Sequence, residues 1–305
     1  MGQGLMLDFR TLDVFTDTPY AGNPLAVVLG ADGLSTAQMQ RIAREFNLSE
    51  TIFVMAPADP AHTARVRIFF PTAEIPFAGH PTIGCAILLA TMARGPGDFT
   101  ADLVLEEEAG LVPVRVSREG GRVMAEFTAP VVPHAAPGRA DEALIAAALD
   151  LGPADLGFGP HRPGLWQGGP AFLYVPVADA ATLARARPIE PHWSALMEAA
   201  GVDSAYLYTA GTGTDFRARM FSPTAGIPED PATGSATAIL AAQLRAARVL
   251  PAGTSRFTLL QGAEMGRPSQ LRLTVDMGRD GIEAVRIAGS AVPIAEGRIR
   301  PPAEE

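Results

Sequence analysis

The chain contains no lysine. Its 305 residues carry 24 basic side chains, every one an arginine, against 33 acids, for a formal net charge of −9. This acidic balance argues against nucleic acid, whose binding needs a basic face. An anionic substrate would have to be held by local features, because the field of the whole protein does not draw it in. Cysteine is nearly absent. The single thiol, Cys85, cannot form an internal disulfide, so nothing calls for an oxidising compartment. Long apolar runs are missing too: the longest, Ile83 to Ala93, is followed by Arg94 and falls short of the roughly 20 residues that span a bilayer. The opening MGQGLMLDFRTLDVF has neither the basic lead nor the apolar block of a secretory signal, and Met6 stands where a myristoylation pattern needs Ser or Thr. The expectation is a cytoplasmic protein with no membrane partner.

Catalytic signatures are also scarce. There is no paired-cysteine zinc spacing, HExxH, Walker loop or GxSxG elbow, and Gly211-Thr212-Gly213-Thr214 falls short of a dinucleotide fingerprint and reads as a hairpin turn. No metal and no nucleotide cofactor are expected. What is present is globular composition, 48% hydrophobic and 19% charged, in a length that predicts one large or two medium domains.

An internal repeat organises the chain. Residues 67–76 read RIFFPTAEIP and residues 219–228 read RMFSPTAGIP, identical at seven of ten positions. Gly79-His80-Pro81-Thr82 then matches Gly234-Ser235-Ala236-Thr237, and an alanine- and leucine-rich stretch follows each copy, Gly84 to Ala93 and Ala238 to Ala247. The spacing is about half the chain, so the protein is read as two homologous halves related by a pseudo-two-fold axis, the repeated turns facing each other across a cleft.

Each copy reads as strand, loop and helix. Val66–Phe70 and Phe216–Phe221 are rich in β-branched and aromatic residues; Pro71, Pro76, Pro223 and Pro228 break the ladder. Pro81 suits the first turn of one helix, and Thr233 or Ser235 can cap the other. Further strands are expected at 12–15, 25–29, 49–55, 103–107, 112–116, 122–127, 171–176, 205–209, 256–260, 270–275 and 282–288. Further helices are expected at 35–46, 141–148 and 192–200. The fold class is α+β: two pseudo-symmetric domains, 1–128 and 129–305, each a curved, mainly antiparallel sheet wrapped around a central helix. The Pro/Gly-rich stretch 129–138 is the linker.

Two helix starts aimed into one cleft would present unpaired N–H groups and positive dipole ends to an anion without any lysine, which fits a small carboxylate substrate. The turns differ in polar residues: His80 in the first; Glu229, Asp230, Thr233 and Ser235 in the second. Glu50 opens an otherwise apolar strand. It is either a solvent residue on a strand edge or, if partly buried, an acid tuned to move protons to and from carbon. His80 and Asp230 divide similarly between structural and catalytic roles. Cys85 reads as a core thiol, Glu106-Glu107-Glu108 as a solvated strand end, and His161 and Trp166 as loop packing that could also line the cleft.

At these residues the sequence resembles the PhzF-like family of phenazine biosynthesis, which has the diaminopimelate epimerase fold. The matching stretches are DVFTDTPYAGNPLAVV (13–28), NLSETIFV (47–54), the run from Arg67 through FAGHPTIG (77–84) and GIPEDPATGSA (226–236). The resemblance implies cofactor-free isomerisation by a proton shift, as on trans-2,3-dihydro-3-hydroxyanthranilate, with Glu50, His80, Asp230 and Ser235 catalytic. It also implies substrate contacts at Ser49, Gly79, Thr233, Gly234 and Asn23, and a homodimer. Racemases and epimerases of this fold carry a cysteine before each turn's glycine. Here Ala78 and Thr233 occupy those places, which disfavours a two-thiol mechanism.

Overall fold

The computed structural model describes residues 6–303; part of the N-terminal leader reading, residues 1–5, lies outside them. The chain divides into two compact units, one formed by Met1–Thr128 with Ala288–Glu305, the other by Ala129–Ile287.

The first unit opens with β1 (Leu7–Val14), β2 (Asn23–Leu29), α1 (Thr36–Phe46), β3 (Glu50–Met55), β4 (Ala64–Phe69) and β5 (Glu74–Ile75). It continues with α2 (Gly79–Arg94), β6 (Phe99–Glu107), β7 (Gly110–Glu119) and β8 (Arg122–Thr128). β1 pairs antiparallel with β2, β2 parallel with β3, β3 antiparallel with β4, β4 parallel with β6, and β6, β7 and β8 run antiparallel in turn.

The second unit holds β9 (His134–Ala135), α3 (Glu142–Ala148), β10 (Gly164–Gln167), β11 (Ala171–Pro176), α4 (Ala180–Arg185), α5 (His192–Ala200) and β12 (Ala205–Ala210). β13 (Phe216–Ser222), β14 (Ile227–Asp230), α6 (Gly234–Ala246), β15 (Gly253–Gln261), β16 (Ser269–Met277) and β17 (Ile282–Gly289) follow. Its pairing repeats that of the first unit: β10–β11 antiparallel, β11–β12 parallel, β12–β13 antiparallel, β13–β15 parallel, β15–β16 antiparallel. The repeat seen in ten residues of sequence therefore extends through the connectivity of both units.

The last strand corrects the linear partition into 1–128 and 129–305. β18 (Ala291–Ile299) pairs antiparallel along the whole of β1, with a bulge at Thr11/Leu12, so residues 288–305 belong to the first unit. Its sequence, AVPIAEGRI, mixes Pro, Gly and charge, and local pattern alone does not mark it as a strand. Four other elements, β5, β9, β10 and β14, also lie in stretches read as loop or linker. β5 and β14 return from the proline-bounded turns to pair with β4 and β13, Pro228 notwithstanding.

α2 is apolar all round and accordingly enclosed on all sides. Ile83, Cys85, Ala86, Ile87 and Ala90 are buried, and the helix packs on β1, β2, β3, β6, β7 and β8. α6 is buried likewise, against β9, β10, β11 and β16. α1 instead has one apolar stripe and covers the other face of its sheet, where Met39, Ile42 and Ala43 meet Val28, Phe53 and Phe69. Its N-cap Ser35 accepts from the Gln38 amide while the Gln38 side chain accepts from the Ser35 N–H, a full capping box. In the second unit α3, α4 and α5 supply that layer around Trp193. Among the described residues no helix is long and apolar enough to cross a membrane.

The close approach of α2 to its sheet depends on Gly84, where an added Cβ would lie 2.6 Å from Leu25 Cδ2 and 2.8 Å from Val14 Cγ2. Gly84→Ala gains about 0.5–1 kcal/mol of helix propensity but overpacks a close-packed core at a cost of about 1–3 kcal/mol. The expected outcome is a lower urea midpoint with an unchanged m-value; a raised midpoint would show that the sheet yields.

Candidate active site

The parallel register of β2 and β3, with Leu25 opposite Glu50, sets Asn23 and Glu50 near one end of the two strands. α2 begins at Gly79 and supplies His80 to the same place. His80 Nδ1 lies 3.3 Å from the Asn23 amide nitrogen, and His80 Nε2 lies 3.3 Å from Glu50 Oε2. All three are buried: Asn23 fully, His80 to 3% exposure and Glu50 to 7%. Glu50 is thus not a solvent residue on a strand edge.

Burial pushes the His80 imidazole down to about 3, so it is neutral near pH 7. With the Asn23 N–H₂ donating to Nδ1, the single ring proton resides on Nε2, facing the Glu50 carboxyl. As placed, this Nε2–H is near Glu50 but not aligned on it. Ser49 precedes Glu50 and is half-buried; Gly79, the first residue of α2, is buried.

The second unit builds its turn differently. Asp230 ends β14, and its Oδ2 accepts a 2.6 Å bond from the Thr233 hydroxyl. Thr233 occupies the N-cap position of α6, yet its side chain makes no cap bond. The expected threonine cap is absent because that hydroxyl is committed to Asp230. Gly234 and Ser235 are the first two residues of α6, Gly234 buried and Ser235 half-buried. Gln261, fully buried at the end of β15, was not singled out by sequence, yet it secures this turn. Its amide nitrogen donates to the Asp230 carbonyl (2.8 Å) and Thr233 Oγ1 (3.0 Å), and its oxygen accepts from the Thr233 N–H (3.1 Å).

Each turn is also pinned by an arginine fork at the first position of the repeat. Arg67 binds both oxygens of Glu74 at 2.7 and 2.6 Å; Arg219 binds both of Glu229 at 2.8 and 2.9 Å. Glu229, a polar candidate by sequence, is therefore structural. Arg219 further donates to the carbonyls of Leu183, Ala184 and Ala186 and so secures the end of α4.

Other expectations fare unevenly. Cys85 is fully buried, and burial with the nearby Glu107 charge pushes its thiol well up, as suits an inert core residue. His161 packs inside the second unit, stacked on Phe158 and 2.8 Å from the Tyr208 hydroxyl; Trp166 lies on β10 and donates to Gln243 at 2.5 Å. The reading of 106–108 as a solvated strand end is wrong for two of the three residues. Glu106 accepts from the Ala58 and Asp59 amides and meets His62, while Glu107 is buried against α2. Strand alternation places Glu107 on the inward face with Leu103 and Leu105. Among the described residues no three His, Cys, Asp or Glu side chains are grouped as a metal site requires.

A duplicated α+β unit that encloses an apolar helix, with a buried carboxyl beside a neutral imidazole at one helix start, defines a protein of the diaminopimelate epimerase-like class. Comparison with known proteins narrows this: the phenazine biosynthesis-like (PhzC-PhzF) family matches residues 12–297, and the chain belongs to that family. It is 43% identical over 300 residues to an uncharacterized isomerase of Mesorhizobium japonicum, covering 96% of this chain and 98% of the relative. It is 38% identical over 292 residues to the trans-2,3-dihydro-3-hydroxyanthranilate isomerase of Pseudomonas aeruginosa, covering 95% and 98%. The crystal structure of a PhzF-family phenazine biosynthesis protein from Bacillus anthracis superposes with a TM-score of 0.85 at 26% identity, covering 97% and 99%.

The tautomer can be tested directly. The ¹⁵N shifts of His80 should be those of a neutral Nε2–H imidazole from pH 8 down to pH 5. Because the folded-state value lies below the unfolded one, His80 costs stability progressively as pH falls from about 6.5 toward 3. A ring titrating near its ordinary value would contradict both statements.

Proposed function

We propose that the protein is a cofactor-independent isomerase of the PhzF type. Its substrate is a small unsaturated carboxylic acid, trans-2,3-dihydro-3-hydroxyanthranilate or a related compound. The observation that carries the reading is the buried Glu50 carboxyl with His80 Nε2 at 3.3 Å. The named activity of relatives 36–38% identical over nearly the whole chain supports it.

In this reading Glu50, as carboxylate, takes a proton from carbon next to the unsaturated system, leaving the electron pair delocalised into it. The same carboxyl then returns the proton to another carbon of the conjugated system, so the double bond moves and no electrons leave the substrate. His80 keeps the carboxyl oriented through its Nε2–H, and Asn23 sets that tautomer from behind. Asn23 thus acts on the imidazole, a different part from the substrate contact the family resemblance implies. Asp230 and Ser235 steady developing charge, with Asp230 held in place by Thr233 and Gln261. Gly79 at the start of α2, Gly234 at the start of α6 and Ser49 beside Glu50 are the substrate contacts in this reading, the backbone N–H groups at the helix starts being suited to a carboxylate. The same reading has the protein working in the cytoplasm as a homodimer.

Glu50→Gln keeps the shape of the side chain and removes its basicity. It should bind a substrate analogue with unchanged affinity while turnover drops by about 10²–10⁴-fold, the usual contribution of a positioned acid–base group. Wild-type enzyme in deuterated solvent should exchange label at the carbons that lose and gain the proton. Label entering with inversion and no double-bond movement would identify an epimerase; ligand binding with no exchange would identify a binding protein. Full turnover by Glu50→Gln would remove Glu50 from its role.

A further inference from the structure

Glu107 stands at a place the reaction scheme does not use, 8% exposed at the end of β6 against the first turn of α2. Its Oε1 lies 2.7 Å from the Thr82 hydroxyl oxygen, and that same oxygen lies 2.8 Å from the Ala78 carbonyl. A hydroxyl has one proton. The carbonyl has none to give, so the Thr82 proton points to Ala78, and the short contact with Glu107 requires a proton from the carboxyl. Ionised, Glu107 would leave either it or the Ala78 carbonyl facing a lone pair. It would also leave a charge on Oε2, which has no hydrogen-bond partner among the described residues.

The second unit places an uncharged side chain at the corresponding position. Gln261 ends β15 as Glu107 ends β6, and the 154 residues between them match the repeat spacing, with Gly79 and Gly234 lying 155 apart. Both side chains reach the turn that opens the enclosed helix, and both are buried. The second unit uses an amide there, a group that donates and accepts without ever carrying charge.

We propose that Glu107 is a positioning residue that works as a neutral carboxylic acid, its O–H bonded to Thr82, holding the Ala78–Thr82 turn and with it His80 in register for the reaction. Loss of that proton releases the turn. Burial pushes Glu107 up to about 8 in support. The charged groups on neighbouring elements are engaged elsewhere: Arg65 with Glu108, Arg67 with Glu74, Arg115 with Asp102, and Glu106 with His62. His80, in the same turn, is neutral. The Cys85 thiol, on α2, is the titratable neighbour that senses the Glu107 charge.

The test compares Glu107→Gln, Glu107→Ala and wild type. At pH 7 the infrared spectrum of the wild type should show a protonated-carboxyl band that Glu107→Gln lacks. Unfolding measurements should show wild-type stability falling, relative to Glu107→Gln, as pH rises from about 4.5 to 8, because the folded state holds the proton more tightly than the unfolded chain. Activity rests on the isomerase reading above. There Glu107→Gln should keep most of the wild-type kcat and lose the alkaline limb near pH 8, while Glu107→Ala should lose kcat on the order of 10²-fold through misplacement of His80. The spectroscopic and stability measurements need no substrate, so they stand even if the isomerase reading fails. No carboxyl band difference, or a stability difference independent of pH, overturns the proposal. So does Glu107→Gln losing kcat as fully as Glu107→Ala while both remain folded.

Discussion

A helix enclosed on every side by its own sheet cannot send its end groups to water. The first N–H groups of an α-helix have no intrahelical partners, and a buried polar group without a partner costs about 1–3 kcal/mol. Both α2 and α6 start inside the protein, and buried polar side chains gather at both starts: Asn23, Glu50, His80, Thr82 and Glu107 around one, Asp230, Thr233 and Gln261 around the other. Of these, Gln261 accepts a helix-start N–H directly, that of Thr233.

That constraint also provides chemistry. A carboxyl kept out of water interacts strongly with whatever proton donor or acceptor reaches it, and a neutral imidazole can hold it in orientation without neutralising it. The arginine forks Arg67–Glu74 and Arg219–Glu229 fix the turns from outside, so the buried groups need not supply the rigidity. In the first unit the two acids near the helix start have different environments. Glu50 is next to an N–H, which suits a carboxyl that changes its charge in the proposed reaction; Glu107 is next to a hydroxyl already committed to a carbonyl, where a change of charge is a disruption.

Much of this was legible in one dimension. The repeated RxFxPTAxIP implied two like halves, and the two alanine-rich runs implied two enclosed helices. Glu50 stood out as an acid opening an apolar strand, and Cys85 as a core thiol. The alternation of β6 was equally readable and pointed Glu107 inward with Leu103 and Leu105. Three consecutive acids outweighed that signal, because a charge run usually marks a solvated face. Gln261 had no local signature: an uncharged polar residue at a strand end is ordinary until the turn it holds is seen.

Composition and periodicity determined most of the strands and helices, which helices are apolar on all faces, and that the architecture is duplicated, since these follow from side-chain spacing and burial within short windows. Tertiary structure decided the rest. The return of β18 to β1, the meeting of Asn23, Glu50 and His80, and the contact of Glu107 with Thr82 all join residues tens to hundreds of positions apart. Hydrogen bonding and protonation depend on distances of a few ångströms, and those distances exist only once the sheets have closed around their helices.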